Sequence, residues 1–195
     1  MTAYKFTQDW FHWAPEVWIK LKPLLPARKS FLEIGSFEGR SAVWMVENFL
    51  ENDAELVCVD TWEGSEEHKA GEADGAEERF DYNLMLAKSA PALPYFELTK
   101  IKAPSYRALT QLAPTYLFDF VYVDGSHVAK DVLTDACLVW PMVKPGGVLV
   151  FDDYAWGSSR DILHRPKMAI DAFVNLFAEE LSVIHVGYQL VVRKN

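Results

Sequence analysis

Five short apolar runs recur along the chain: Phe31–Ile34, Leu56–Val59, Tyr95–Ile101, Phe118–Val123 and Val148–Phe151. Between them lie stretches with apolar residues at helical spacing, such as Ser41–Leu50 and Lys130–Trp140. A parallel pair of strands needs a helix-length crossover, and the crossovers bury both faces of the sheet. The alternation therefore predicts a parallel sheet covered by helices on both sides. The end of the chain departs from this rhythm. LSVIHVGYQLVVRK holds two β-rich runs, Ser182–Val186 and Gln189–Arg193, separated by Gly187 and Tyr188, which predicts a tight hairpin. The expected architecture is α/β: a doubly wound, mostly parallel seven-stranded sheet with a C-terminal antiparallel hairpin.

The chain has 195 residues, half of them hydrophobic, which suits a single domain over 1–195. Residues 1–28 read as an N-terminal helical cap rich in tryptophan (Trp10, Trp13, Trp18), with Pro15 in a first turn and Val17, Trp18 and Leu21 at helical spacing. Residues 62–83 form an acidic stretch with Gly64, Gly71 and Gly75, read either as a lid or as a solvated surface loop. The net charge is −9 and no Lys/Arg run exists, which disfavours nucleic-acid partners. No apolar run approaches the roughly 18 residues of a membrane span. The opening MTAYKFTQDW is not a secretory leader. Cys58 and Cys137 lie in apolar surroundings with no CxxC pair, as reduced core residues. The expectation is a cytoplasmic protein acting on a small molecule, with room for a homodimer.

The first strand runs into a glycine loop, FLEIGSFEGRSAV over Phe31–Val43. A dinucleotide site requires GxGxxG, whose second glycine admits a pyrophosphate. Here that register holds Gly35, Phe37 and Arg40. GxxxxGK[ST] is absent too. A ligand without a diphosphate fits better, with an anion such as a carboxylate at the helix start near Gly39 and Ser41. The second strand ends in Asp60, 25 residues after Gly35. An acid there can accept both ribose hydroxyls, or it can serve as a turn or helix cap. A ribose and a carboxylate without a diphosphate describe S-adenosylmethionine.

Four segments in order carry a family resemblance: the ExGxxxGxSAV stretch, VCVDTWEGS, FDFVYVDGSH and WPMVKPGGVLVFDDY. Together they resemble class I S-adenosylmethionine-dependent methyltransferases, in the small group akin to catechol O-methyltransferase. The resemblance spans about Phe31 to Arg193 and implies a Rossmann-like methyltransferase fold. It implies that Glu33, Gly35, Ser36 and Gly39 shape the methionine pocket and that Ser41 contacts the carboxylate. Asp60, with Thr61 beside it, would hold the ribose. Ser105, in KAPSYRAL at the end of a fourth strand, would lie near the adenine with Tyr106. Trp62 would stack on the adenine or pack as a surface tryptophan.

Two strand ends carry acids: Asp124 after Phe118–Val123, and Asp152-Asp153 after Val148–Phe151. In a parallel sheet both ends reach one edge, so the three carboxylates can converge. Converging carboxylates repel unless a cation or proton joins them, and oxygen donors suit Mg²⁺. The resemblance implies a Mg²⁺ site with an acid after the first strand and an acid–amide pair after the second. Asp153 stands where the amide would be, leaving Ca²⁺ and Mn²⁺ open. A hydroxyl acceptor needs activation and a base. His127 lies three residues after Asp124, one helical turn along, where the family places a lysine; it is the candidate base or a substrate contact. Lys130 is a weaker candidate. His12 and His68 are candidates for the acceptor pocket and the lid, and His164 and His185 for packing or surface roles.

The aromatics of Trp10–Trp18 and Tyr154–Trp156 flank the expected cleft. The sequence reading is thus a metal-assisted methyltransferase acting on a small-molecule hydroxyl. An N-methyl acceptor is open within it. An NAD-dependent oxidoreductase and a non-catalytic S-adenosylmethionine-binding protein are the competing readings.

Overall fold

The structure is a computed structural model that describes residues 3–26, 29–65, 68–112 and 116–195. Seven strands form one sheet: β1 (Ser30–Ile34), β2 (Ala54–Asp60), β3 (Phe96–Lys102), β4 (Phe118–Val123), β5 (Val143–Phe151), β6 (Leu181–Val186) and β7 (Leu190–Lys194). Their spatial order is β3-β2-β1-β4-β5-β7-β6. The first five are parallel, β7 runs antiparallel to β5, and β6 closes the edge. The strand preceding Ser105 is β3, the third in the chain and not a fourth.

Side chains along each central strand alternate between two cores. Phe31, Leu56, Phe120 and Val148 join one, and Leu32, Val57, Val121 and Leu149 the other. The first core is covered by α1 (Ala14–Leu21), α2 (Arg40–Asn48) and α3 (Ala76–Ser89). The second is covered by α4 (Ser105–Leu112), α5 (Ala129–Val139) and α6 (Lys167–Leu176). This two-sided burial explains why the strands read as near-continuous apolar runs. No helix among the described residues is long and apolar enough to cross a membrane.

The N-terminal cap is helical only from Ala14. Before it, the chain is a strap whose polar groups are met by side chains of the loop after β1 and of α2 and α3. Glu38 accepts from the Thr7 amide and hydroxyl at 2.6 and 2.5 Å. Asn83 exchanges hydrogen bonds with the backbone of Lys5 at 2.7 and 2.8 Å. The Arg40 Nε donates to the Gln8 carbonyl at 3.0 Å. These bonds take the place of a helical ladder. The acidic stretch likewise ends sooner than its sequence suggests, because α3 begins at Ala76 and buries Phe80 against Trp62.

Candidate functional site

The strand order reverses between β1 and β4, and a crevice opens at the carboxyl ends of strands at such a switch point. Here the backbones converge: the Asp124 amide donates to the Ile34 carbonyl at 2.8 Å, and the Gly35 amide to the Val59 carbonyl at 2.9 Å. A Cβ at Gly35 would lie 1.9 Å from the Asp124 carbonyl oxygen, and its φ is +86°. Only glycine fits there. The resulting cleft has a volume of about 730 Å³ and is lined by the loops after all five parallel strands.

Phe37 occupies the middle of the glycine loop with φ 44°. Its amide donates to Asp60 at 2.8 Å, and its carbonyl accepts from the Trp62 indole at 2.7 Å. Asp60 also accepts from the Trp62 amide at 2.7 Å. The end of β2 therefore clamps the loop after β1. Asp60 lines the cleft as well, so its turn role and a ligand role coexist. Trp62 does not present its ring as a stacking platform. It is 7 % exposed, its ring lies 5.0 Å from that of Phe80, and Lys100 sits over it. Phe37, Trp62 and Asp153 all have positive φ and all line the cleft, so backbone strain gathers at this site.

Of the other residues expected at a cofactor, Gly35, Thr61, Ser105 and Tyr106 line the cleft. Ser36 and Ser41 instead line a small adjoining recess, with Gly35 and Asp124. Ser41 is buried and donates to Glu33, which lies beneath the loop and also receives the Cys58 thiol at 3.6 Å. Gly39, at the start of α2, packs against Leu84 and Phe80.

Burial pushes the Glu33 carboxyl up to about 7, against the hydrogen bonds of Ser36, Ser41 and Cys58. A carboxyl raised in the folded state holds its proton there while the unfolded chain releases it. Stability thus falls as pH rises from the ordinary value of 4.5 to about 7, and the full cost persists above. Glu33→Gln removes that cost. The variant is expected to gain on the order of 3 kcal/mol relative to the parent between about pH 4.5 and pH 8. Denaturant unfolding at both pH values checks this; a constant difference between the two proteins would contradict it.

The acids after β4 and β5 do converge. The Tyr122 hydroxyl bridges Asp124, at 2.9 Å, and Asp152. Asp152 is further fixed by Gln189, which donates at 3.2 Å, and by the Asp153 amide at 2.7 Å. Gln189 in turn accepts from the Trp18 indole at 2.9 Å. The side chains that gather ligand atoms within 4.8 Å of one another are Asp124, His127 and Asp153. Asp152, expected as a third ligand, is not in that gathered set, but it also lines the cleft, and its carboxylate accepts from Tyr122, Gln189 and the Asp153 amide. Burial and the neighbouring carboxylates hold Asp124 well above the ordinary range; burial and Asp153 bring Asp152 to about 6.

His127 lines the cleft with Nε2 2.7 Å from Asp153 Oδ2 and its ring 4.5 Å from that of Trp156. It reaches the cluster through a loop, because α5 starts only at Ala129, and not by a helical turn. Lys130 and His12 are exposed; Trp10 and Trp13, beside His12, are the strap residues that line the cleft. His68 stacks on Trp10 at 5.3 Å and on Phe37 at 5.6 Å, which brings the acidic loop and the strap together over the glycine loop. His164 is exposed and His185 half-buried in β6. Three cleft residues carried no signal in the sequence: Tyr188, whose hydroxyl donates to Asp153 at 2.7 Å, and Asp131 and Asp135 on α5.

A sequence profile described as a methyltransferase domain matches residues 32–154, from β1 through the acid pair. No curated protein matches the sequence. Among solved structures, an O-methyltransferase from Bacillus cereus in complex with SAH is 15% identical, covering 100% of this chain and 84% of that one, with a TM-score of 0.65. The O-methyltransferase TomG from Streptomyces achromogenes, involved in tomaymycin synthesis and solved with SAM, is 21% identical over 93% and 80%, with a TM-score of 0.66. MycE, a methyltransferase of the mycinamycin pathway solved with Mg and SAH, is 19% identical; the match covers 98% of this chain but 51% of that one, with a TM-score of 0.63. These likenesses establish the fold that the strand order already describes. The match across the glycine loop, Asp60 and the acid pair places the chain in the methyltransferase-domain family, with the class I S-adenosylmethionine-dependent fold.

Proposed function

We propose that the protein transfers a methyl group from S-adenosylmethionine to a hydroxyl of a small molecule, assisted by a divalent cation. The observation that carries this reading is the position of Asp124, His127 and Asp153 in the same cleft as Gly35 and Asp60. The cleft suits the cofactor: it has no phosphate loop, it offers Asp60 to a ribose, and its loops fit an amino-acid tail. The donor set suits a cation, since clustered carboxylates are costly without one. Asp124 and Asp153 would hold it, with Asp152 adding negative charge beside them, and it would supply Lewis acidity that lowers the pKa of a hydroxyl.

The chain's own residues supply alignment and proton transfer. His127 takes the acceptor's proton on the ring nitrogen that does not face Asp153, and the Asp153 carboxylate, which accepts from Nε2 at 2.7 Å, orients the ring and stabilises the resulting imidazolium. Trp13 and Tyr188, 4.7 Å apart between ring centroids, and Trp156 form an aromatic wall that excludes water. The Trp13 indole nitrogen is buried with no hydrogen-bond partner among the described residues, a donor suited to an oxygen-bearing acceptor. The aromatic wall suits planar or sugar-like acceptors, which makes phenolic and polyhydroxylated compounds the first to screen.

Calorimetric titration with S-adenosylmethionine and with NAD tests the cofactor half of this reading. Binding of the first and not the second is expected; the reverse overturns it. Formation of S-adenosylhomocysteine with an acceptor panel, with and without EDTA, tests the rest. Turnover that survives EDTA removes the cation from the scheme.

A further inference from the structure

The charged side chains that line the cleft are acids, with one exception. Among the described residues, Arg160 is the only arginine or lysine there. It belongs to the loop after β5 that also carries Trp156. The guanidinium lies over the Trp156 ring, 4.4 Å from its centroid, and the same ring lies 4.5 Å from that of His127. A turn holds it there. The Arg160 amide donates to the Gly157 carbonyl at 2.8 Å, and Gly157 has φ +66°. A Cβ at Gly157 would meet Arg160 Cδ at 3.3 Å, so the arginine stem folds back across the glycine. Arg165 closes the same loop by donating to the Ser158 carbonyl at 3.1 Å. Arg40 and Arg79 are ion-paired, with Asp9 and Glu38. Arg160 makes no ion pair and no side-chain hydrogen bond among the described residues.

We infer that Arg160 selects a methyl acceptor bearing a carboxylate, which sits on the guanidinium while the reacting hydroxyl points to His127. This rests on the methyl-transfer reading above and narrows its acceptor to a hydroxylated aromatic acid. An arginine stacked on an indole keeps its in-plane N–H groups free, and that fork matches a carboxylate bidentately. The guanidinium and the His127 imidazole pack on one indole, so a molecule with a single ring can touch both. The aromatic wall suits that ring. The acids of the cleft set the direction. Asp124, Asp152 and Asp153 repel an anion, so Arg160 marks the end at which its charge can rest. Repulsion in the wrong orientation thus adds to attraction in the right one. A phosphate dianion would meet more repulsion with the same single cation to hold it, which favours the carboxylate.

Calorimetry on the protein saturated with S-adenosylhomocysteine, with Mg²⁺ present, compares three probes: protocatechuate, its methyl ester and dopamine. The acid is expected to bind roughly 10- to 100-fold more tightly than the neutral ester, and the cationic amine most weakly. Arg160→Met keeps an unbranched stem on Trp156 and removes the charge, so it should bring the acid-to-ester ratio to about threefold or less. Arg160→Lys keeps the charge without the fork and should fall between. Arg160→Glu should reverse the order, with dopamine ahead of the acid. Arg160 is exposed, so the fold should tolerate all three changes, which thermal melts check. A parent that binds the ester as well as the acid overturns the carboxylate. So does a parent that binds none of the probes while S-adenosylhomocysteine binds. Folded variants that keep the parental ratio overturn the assignment to Arg160 and place the carboxylate at the acid cluster's cation instead. A parent that does not bind S-adenosylhomocysteine overturns the methyl-transfer reading itself, so the failures are told apart.

Discussion

Replacing His127 by alanine is expected to lower kcat by about 100- to 10,000-fold, the usual range for loss of a general base. Affinity for S-adenosylmethionine should stay within about twofold, because His127 pairs with Asp153 and packs on Trp156, at the acid cluster, whereas Asp60 clamps the glycine loop. His127→Gln sharpens the test. The amide keeps a polar contact with Asp153 but cannot take a proton, so it should be as inactive as the alanine variant. The pH profile gives a readout that a purely structural role would not move. In the parent, protonation of the imidazole should shut off turnover on the acidic side; in either variant the residual rate should lose that limb. Turnover within about threefold of the parent in a folded His127→Ala protein would place the base elsewhere. The exposed Lys130 is a poor substitute, since it is not among the residues that line the cleft.

Much of this site was legible because its chemistry is tied to strand ends. An apolar run that terminates in an acid, as at Asp60, Asp124 and Asp152, gives both an element and the sheet edge it reaches. The Gly35–Phe37 pattern argued against a diphosphate, and the structure gives Phe37 a positive role: its backbone is the piece that Asp60 and Trp62 grip. What stayed hidden was orientation. Asp152 and Asp153 both line the cleft, but Asp153 joins Asp124 and His127 whereas Asp152 accepts from Tyr122 and Gln189. No spacing rule reports that. Trp62 was ambiguous for the same reason, and the positive φ there sends its ring into the core. Asp135 and Tyr188 sit on a helix and in a hairpin turn whose sequences look ordinary; only the fold brings them to the cleft. The strap before Ala14 is illegible in the sequence because its hydrogen bonds run to Glu38, Asn83 and Arg40, residues distant along the chain.

The cation half of the proposal carries an equally large expected effect, and it can be read without knowing the acceptor. Asp124, Asp152 and Asp153 crowd carboxylates into a pocket where burial and mutual repulsion resist charge. A cation held there binds the folded protein and not the unfolded chain, so it stabilises by mass action. At about 100 times its dissociation constant this amounts to roughly 2.7 kcal/mol, or a rise in Tm of about 5–10 °C for a chain of this size. Mg²⁺, Mn²⁺ and Ca²⁺, each titrated alone and reversed with EDTA, should show which ion does this. Asp124→Asn and Asp153→Asn should each reduce the shift to about 2 °C or less, since each removes an anionic donor from the gathered set. The same variants should lose turnover while still binding S-adenosylmethionine, because the residues that clamp the glycine loop are untouched. Asp60→Asn should show the converse: an intact cation response and a weakened cofactor. If Asp124→Asn and Asp153→Asn keep the parental cation response, the cluster is not the cation site. His127 and Asp153 would then stand as an ion pair that serves proton transfer without a metal.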